Sequence, residues 1–579
     1  MHLRQPGENR FSAQGTQGGP SRHLDHHLGS RRCGSTVHDR GGAGADPLAR
    51  IFPRDLGQYQ PAARLRDPPD GHHVRSRDDR LGSGPQDGPG REAGAQDDRG
   101  VLHRNGGMLF LRQLQRDPGK RAVQGAASPL LAPQSLLNFQ KENHMHYMII
   151  GGSAAAVSAV ESIRSLDRES PIDLFSEEET PLFSRVLLPY YIAEELSKPL
   201  LNFRTADFFD ANRVKAHMGL KVSGIDPIKK TIETVDGKSY AYDKLLIATG
   251  GRAIVPPIPG IDKEGISTLK TMADAEKIYH MKGSRAVVIG AGSIGVEACI
   301  SLTRRGIKTT LLEQLGQVMP TVFDAEAAAI VQKRIEDLGI EVFTGEKALK
   351  FTGGKSVKGV VTDNREIPCD MVVVSVGVRP AIELAVQAGL SIGEMKGIRV
   401  DENMMTSAQD IYAAGDVAET HDIARNAYFL NAIWPCAFEQ GHFAGLNMAG
   451  RKTGYPGSYR RNSIGNFIGI PAISMGVTHA ESCAMVSDED EYREIRVRTK
   501  ESYKKLVLRN GKVIGAILVG QTQKAGLMSI LLRKQVNVAD SIPLLMSDRL
   551  GFMDLLPILR RNADQFSEPE YKELIDTGL

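Results

Sequence analysis

Gly290, Gly292 and Gly295 stand at the spacing of a turn that cradles a pyrophosphate. The short apolar run Ala286 to Ile289 precedes them, and a helical stretch follows. The first glycine lets the chain turn sharply. The second leaves no side chain where a phosphate approaches the backbone, and the third lets the helix pack on the strand. The helix N-terminus then offers free N–H groups and partial positive charge to the phosphates. Glu313 ends the following strand, where a carboxylate hydrogen-bonds a ribose 2′-hydroxyl and repels a 2′-phosphate. That points to NAD(H) rather than NADP(H). Arg304 and Arg305 fall inside the helix before Glu313 and build no 2′-phosphate site.

The same plan occurs earlier in a degenerate form. Tyr147 to Ile150 is apolar, and Gly151, Ser153 and Ala156 take the places of the three glycines. Alanine is tolerated at the third place, whereas serine at the second crowds a pyrophosphate. Glu177 or Glu178 ends the next strand, Glu177 being better placed to hold a ribose. Two dinucleotide turns in one chain point to electrons passing between two dinucleotides. A further carboxylate, Asp416, follows the small-residue strand Tyr412 to Gly415 and precedes an expected helix. There it can accept from ligand hydroxyls at a strand's carboxyl edge, or cap the helix.

The elements that must position these groups are buried parallel strands alternating with helices. The expected fold class is α/β. Val222 to Tyr240 alternates like strands around an Asp236-Gly237 turn. Beyond Lys452 a linker leads to a third region. There, Lys505 to Val519 reads as a hairpin on Asn510-Gly511, the pair that a type I′ turn favours. Helices are expected over 523–535 and 540–560, with Leu544, Leu545, Leu550, Met553, Leu555 and Ile558 as core.

Three more segments carry a resemblance: Tyr242 to Gly250 with Pro256, Pro257 and Pro259 after it, Val372 to Pro380, and Asp410 to Val417. With both glycine turns, their order resembles the FAD-dependent pyridine nucleotide-disulfide oxidoreductase superfamily. That superfamily includes NADH oxidases, rubredoxin and ferredoxin reductases, the N-terminal part of the nitrite reductase large subunit and the electron-transfer subunit of phenylglyoxylate dehydrogenase. The resemblance runs from about Met145 to the C-terminus. It implies two Rossmann-like three-layer domains, the NAD domain inserted in the FAD domain, and a C-terminal α+β domain near the flavin that makes subunit contacts, as in a homodimer. The corresponding spans are 145–265 and 391–452 for FAD, 266–390 for NAD and 453–579 for the last domain. It also implies that Gly415 and Asp416 meet the FAD ribityl chain, that Thr249 and Gly250 mark the crossover near the flavin, that Gly377 lies by the nicotinamide, and that Glu297 faces the flavin side.

Cysteines 33, 299, 369, 436 and 483 include no Cys-x-x-Cys pair, so no zinc, iron–sulfur or disulfide framework is expected. Disulfide reductases and peroxidases of the superfamily carry redox cysteines soon after the first turn, yet residues 145–298 hold none. There the sequence offers Arg185, a candidate contact for flavin or pyrophosphate. Cys436, beside the lone Trp434, reads as a buried thiol rather than a redox group. The net charge of +3 gives no electrostatic case for nucleic acid, and no apolar run is long enough to span a membrane. A reducing cytoplasm is expected.

Residues 1–144 are rich in Arg, Gly, Asp, His, Pro and Gln, with too little apolar surface to fold. They read as out-of-frame sequence before a natural start at Met145, or as a disordered tail. Their paired histidines, such as His26-His27 and His72-His73, are not expected to bind metal. The expected activity is hydride transfer between nicotinamide C4 and flavin N5, with electrons exchanged with a rubredoxin- or ferredoxin-like protein or a larger dehydrogenase complex, in either direction. The alternatives are an oxidase making hydrogen peroxide and a slow-turnover scaffold that binds FAD and NADH.

Overall fold

A computed structural model describes residues 145–180, 182–465, 467–479 and 490–563. The N-terminal 144 residues, with their histidine pairs and Cys33, lie outside the described residues, as does Cys483.

The described chain starts with β1 (Tyr147–Ile150), α1 (Ala154–Leu166), β2 (Ile172–Ser176), β3 (Val214–Met218) and β4 (Lys244–Ile247). A three-stranded meander, Val222–Asp226, Thr231–Thr234 and Ser239–Ala241, precedes β4 and turns at Gly237 with φ +78°. After β5 (Gly251–Ala253) the chain builds a second sheet from β6 (Ile266–Thr268), β7 (Arg285–Ile289), β8 (Lys308–Glu313), β9 (Glu341–Thr344) and β10 (Met371–Val374). Helices α2 (Met272–His280), α3 (Ser293–Arg304) and α4 (Ala325–Asp337) connect its strands. Then β11 (Val378–Pro380) pairs antiparallel with β5, and β12 (Ile411–Ala413) returns to the first sheet. The first sheet has the order β12-β4-β1-β2-β3 and the second β9-β8-β7-β10-β6. Both are parallel, and β1 and β10 are buried along their whole length. A strand covered on both faces must be apolar throughout, which is why the runs Tyr147–Ile150 and Met371–Val374 contain no polar residue but a tyrosine.

The strand expected to run to Gly415 ends at Ala413, and Asp416 enters a turn and then β13 (Ala418–Asp422), not a helix. Gly415, at φ +86°, bends the chain back, and β13 pairs with Ala427–Phe429. Asp416 is therefore no helix cap. Helix α5 (Trp434–Met448) lies across α1 with backbones in near contact. A Cβ on Gly441 would stand 2.1 Å from the Ala155 carbonyl oxygen, and one on Gly445 2.5 Å from that of Ala159.

The last region is a five-stranded antiparallel sheet. Its strands are β14 (Arg461–Ser463), β15 (Ala472–Gly476), β16 (Tyr492–Arg498), β17 (Tyr503–Arg509) and β18 (Lys512–Val519), in the order β14-β15-β18-β17-β16. The β17–β18 hairpin turns at Asn510 and Gly511, with φ +51° and +75°. Helix α6 (Ala525–Lys534) packs on it. The helix expected over 540–560 is two helices, α7 (Ile542–Met546) and α8 (Phe552–Arg561). Ser547 turns extended after α7, and Asp554 accepts the Gly551 N–H at 2.7 Å to start α8 afresh. Of the expected core residues there, Leu545, Leu550, Leu555 and Ile558 are buried, Leu544 packs at the edge, and Met553 is exposed.

Candidate functional site

The turn after β7 separates two roles for glycine. Gly290 adopts φ +99°, and a Cβ there would stand 2.3 Å from the Ser375 carbonyl oxygen. A Cβ on Gly295 would meet the Gly290 oxygen at 1.8 Å. Both are therefore demanded by packing. Gly292 is different: it caps α3 with φ −72° and ψ 179°, and a Cβ would meet nothing within 4 Å. Among the described residues nothing requires glycine at that place. The open space lies at a helix N-terminus, where a pyrophosphate needs close approach to N–H groups.

Glu313 closes this site from the end of β8. It is buried, with Oε2 accepting from Ala291 N at 2.7 Å and Oε1 from Leu315 N at 2.9 Å. Each carboxylate oxygen keeps a lone pair for a further donor. The acid thus holds the glycine turn in place while remaining competent to accept from a ribose.

The turn after β1 repeats the geometry. Gly151 has φ +128°, and a Cβ would come within 2.1 Å of the Ala248 oxygen, the counterpart of the Gly290 contact. Ser153 is the N-cap of α1, and its hydroxyl makes no capping bond. Ala156 is fully buried between helix and sheet. Of the two acids after β2, Glu178 accepts both of its bonds from Arg185 Nη2, each 3.0 Å, while Glu177 forms an exposed pair with Arg252 at 3.2 Å. Arg185 also donates to the Lys270 carbonyl at 2.8 Å, so two of its nitrogens are already committed to the protein.

Between the turns, β5 and β11 form a short antiparallel ribbon. Thr249 Oγ1 donates to the Ala381 carbonyl at 2.8 Å, and Ala381 N donates to the Gly250 carbonyl at 2.9 Å. Gly250 at φ +66° and Gly377 at φ +122° turn the chain at either side of this clasp. Gly415 N donates to the buried Gln440 Oε1 at 2.8 Å, and the Asp416 carboxylate accepts from Lys270 Nζ at 3.0 Å. The Glu297 carboxylate, on α3, has no hydrogen-bond or ion-pair partner among the described residues, and burial pushes it up to about 8.

The thiols are sealed. Cys299, Cys369 and Cys436 are fully buried, and burial pushes each up to about 12. Cys436 Sγ lies 3.6 Å from the Tyr459 carbonyl. Trp434 packs edge-on against Phe203, with ring centres 4.9 Å apart. Among the described residues no group of His, Cys, Asp and Glu could hold a metal ion, and no helix is long and apolar enough to cross a membrane.

Helix N-termini behind glycine turns and strand-end carboxylates suit the phosphates and ribose hydroxyls of dinucleotides, so the donor set fits FAD and NAD(H). Lys270 and Gln440 are absent from the sequence-based set, as is the pairing of Arg185 with Glu178. Lys270 and Gln440 belong to no motif. Each is brought to the site by contacts more than twenty residues away in sequence, which spacing does not encode.

The pyridine nucleotide-disulphide oxidoreductase family description matches residues 145–441, and that of the rubredoxin NAD+ reductase C-terminal domain matches residues 464–536. The chain is 30% identical over 401 residues to the NADH-dependent phenylglyoxylate dehydrogenase subunit epsilon of Aromatoleum evansii, covering 68% of this chain and 93% of that protein. It is 33% identical over 316 residues to an NADH oxidase of Methanocaldococcus jannaschii, covering 53% of this chain and 70% of the relative. Among solved structures, an NAD-dependent persulfide reductase from A. fulgidus superposes with a TM-score of 0.66 at 28% identity, covering 72% of this chain and 84% of that one.

Proposed function

We propose that this chain, which belongs to the pyridine nucleotide-disulphide oxidoreductase family, exchanges electrons between NAD(H) and an external redox protein or partner subunit through FAD, without a redox-active disulfide. It is an FAD-dependent NAD(P)H oxidoreductase, as its relatives are. Bound FAD and NAD(H) supply the hydride and electron chemistry. The chain supplies position and electrostatics. In this reading residues 145–265 and 391–452 hold FAD, residues 266–390 hold NAD(H), and residues 453–579 form the C-terminal domain.

For NAD(H), Gly292 admits the pyrophosphate to the N-terminus of α3, Gly290 and Gly295 shape that turn, and Glu313 selects the unphosphorylated ribose. For FAD, Gly151, Ser153 and Ala156 form the corresponding turn, Glu177 takes the adenosine ribose, and Gly415 with Asp416 meets the ribityl chain. Thr249 and Gly250, clasped to Ala381, hold the crossover, with Gly377 by the nicotinamide and Glu297, on the NAD-domain helix α3, facing the flavin side. Arg185 steadies the acidic turn from its pairing with Glu178 rather than by direct contact.

The single observation that carries the external acceptor is the absence of an accessible thiol among the described residues. Residues 145–298 contain no cysteine, and the three described cysteines are buried and protonated. With no dithiol in that stretch to relay electrons, they would leave from the flavin. A match to a rubredoxin reductase C-terminal domain and a relative that is a dehydrogenase subunit support a protein acceptor or donor. The NADH oxidase relative favours one second reading, direct reduction of oxygen to hydrogen peroxide. Steady-state NADH oxidation decides between them. Rubredoxin or ferredoxin added under argon should sustain turnover. Turnover only in air, with stoichiometric peroxide, would sink the protein-acceptor reading.

A further inference from the structure

Lys270 lies between β6 and α2, outside every nucleotide motif of the sequence. Its ammonium donates to Asp416 Oδ2 at 3.0 Å, and the two side chains are largely covered, with 14% and 20% of their surface exposed. Its backbone is fixed at both ends. The carbonyl accepts from Arg185 Nη1 at 2.8 Å, and the N–H donates to Asp274 Oδ2 at 2.9 Å. Asp274 is the third residue of α2 and completes a capping box with Thr271. Lys270 is thus anchored to the start of α2 while its side chain reaches the first sheet. The series Glu178–Arg185–Lys270–Asp416 joins a loop after β2, the entry to the second sheet and the turn after β12.

Holding a lysine in one conformation costs rotamer entropy, and an exposed pair returns little. The cover over this pair strengthens the attraction but adds a desolvation cost, so stability alone does not account for it. The geometry at Asp416 is one-sided. Oδ2 faces Lys270, and Oδ1 has no partner among the described residues. The ammonium has three donors, and Asp416 takes one.

We propose that Lys270 is a positioning residue for FAD: it compensates the Asp416 charge and turns the carboxylate so that Oδ1 is left to accept from cofactor hydroxyls. The inference rests on the reading of Asp416 as a FAD contact. It has a consequence for the whole enzyme. Because Lys270 is fixed to α2, FAD retention depends on how the second sheet and its helices are seated, although none of them belongs to the FAD part.

The test is FAD affinity and the visible circular dichroism of bound flavin in the full chain, for K270M, K270R, D416N and the K270M/D416N double variant. K270M should weaken FAD binding roughly ten- to a hundredfold, the range for losing a charged hydrogen bond, and alter the flavin dichroism. K270R should fall between K270M and the wild type. The double variant should bind no more weakly than D416N, because Lys270 acts through Asp416. Should K270M fail to fold, K270Q makes the same comparison. If D416N weakens FAD but K270M does not, or if the two losses add, Lys270 has no such role. If D416N itself binds FAD as the wild type does, the reading of Asp416 fails and takes the inference with it.

Discussion

Gly292 and Ser153 hold matching N-cap positions in the two turns, and only one of them bears a side chain. The comparison separates glycines that the fold needs from one whose place the packing leaves open and for which we propose a ligand contact. G292A should fold with less than about 1 kcal/mol change in stability, since its backbone angles suit any residue and the cost is only that of alanine at an N-cap. Its dissociation constant for NADH should nevertheless rise by about tenfold or more, because the new methyl stands where the pyrophosphate approaches. Titration by protein fluorescence alongside thermal melting checks both halves. Glu297 gives a pH signature. Its carboxyl is raised from 4.5 to about 8, so between these values the folded chain holds a proton that the unfolded chain has released. Stability from this group is therefore undiminished below pH 4.5 and is lost as pH rises towards 8. E297Q should flatten that fall, which melting temperatures of the NAD-free protein across the range will show. The places of Gly290, Gly295 and Glu313 in the turn were legible in the sequence because they follow from fixed spacing along one strand–turn–helix unit. Lys270 was not, because its role follows from a contact 146 residues away.

At the scale of elements, the buried parallel strands were readable as apolar runs and the hairpin as Asn510-Gly511. Two elements were misread for physical reasons. The segment after Asp416 has the small and apolar residues of a helix start, yet Gly415 in the left-handed region and pairing with Ala427–Phe429 make it a strand. The stretch 540–560 reads as one helical segment, but Gly551 and its Asp554 cap break it into two helices. The close crossing of α1 and α5 was invisible in the sequence, since a helical glycine reads as a weakness until its neighbour is known. Gly441 is where that crossing is tightest. G441A should cost about 1–3 kcal/mol in chemical denaturation, the range for overpacking, and weaken FAD binding with it, because α1 begins at the first glycine turn.

Across the molecule, the family resemblance already implied one nucleotide unit inserted in another, and the sheets follow that order: β1 to β4 and β12 share one sheet, while β6 to β10 form the second. What the order did not disclose is how the last region is held. Asp324, the N-cap of α4, accepts from the buried Tyr503 hydroxyl at 2.6 Å and pairs with Lys505 at 3.2 Å, and Lys505 also meets Glu494 at 2.9 Å. A nearly inaccessible lysine between two acids ties the C-terminal sheet to the second sheet's helix. D324A should cost about 3–5 kcal/mol in urea unfolding, as expected when one partner of a buried pair is removed. Y503F, which leaves the ion pair intact, should cost less, about 1.5–3 kcal/mol.

The central claim is that two nucleotide turns in one chain place FAD and NAD(H) for direct electron exchange. Anaerobic stopped-flow mixing of the FAD-loaded protein with NADH tests it most directly. Rapid loss of the oxidised flavin absorbance, restored by adding an oxidised rubredoxin or ferredoxin, is the expected result. A protein that takes up no FAD, or one whose flavin absorbance is untouched by NADH, would contradict it.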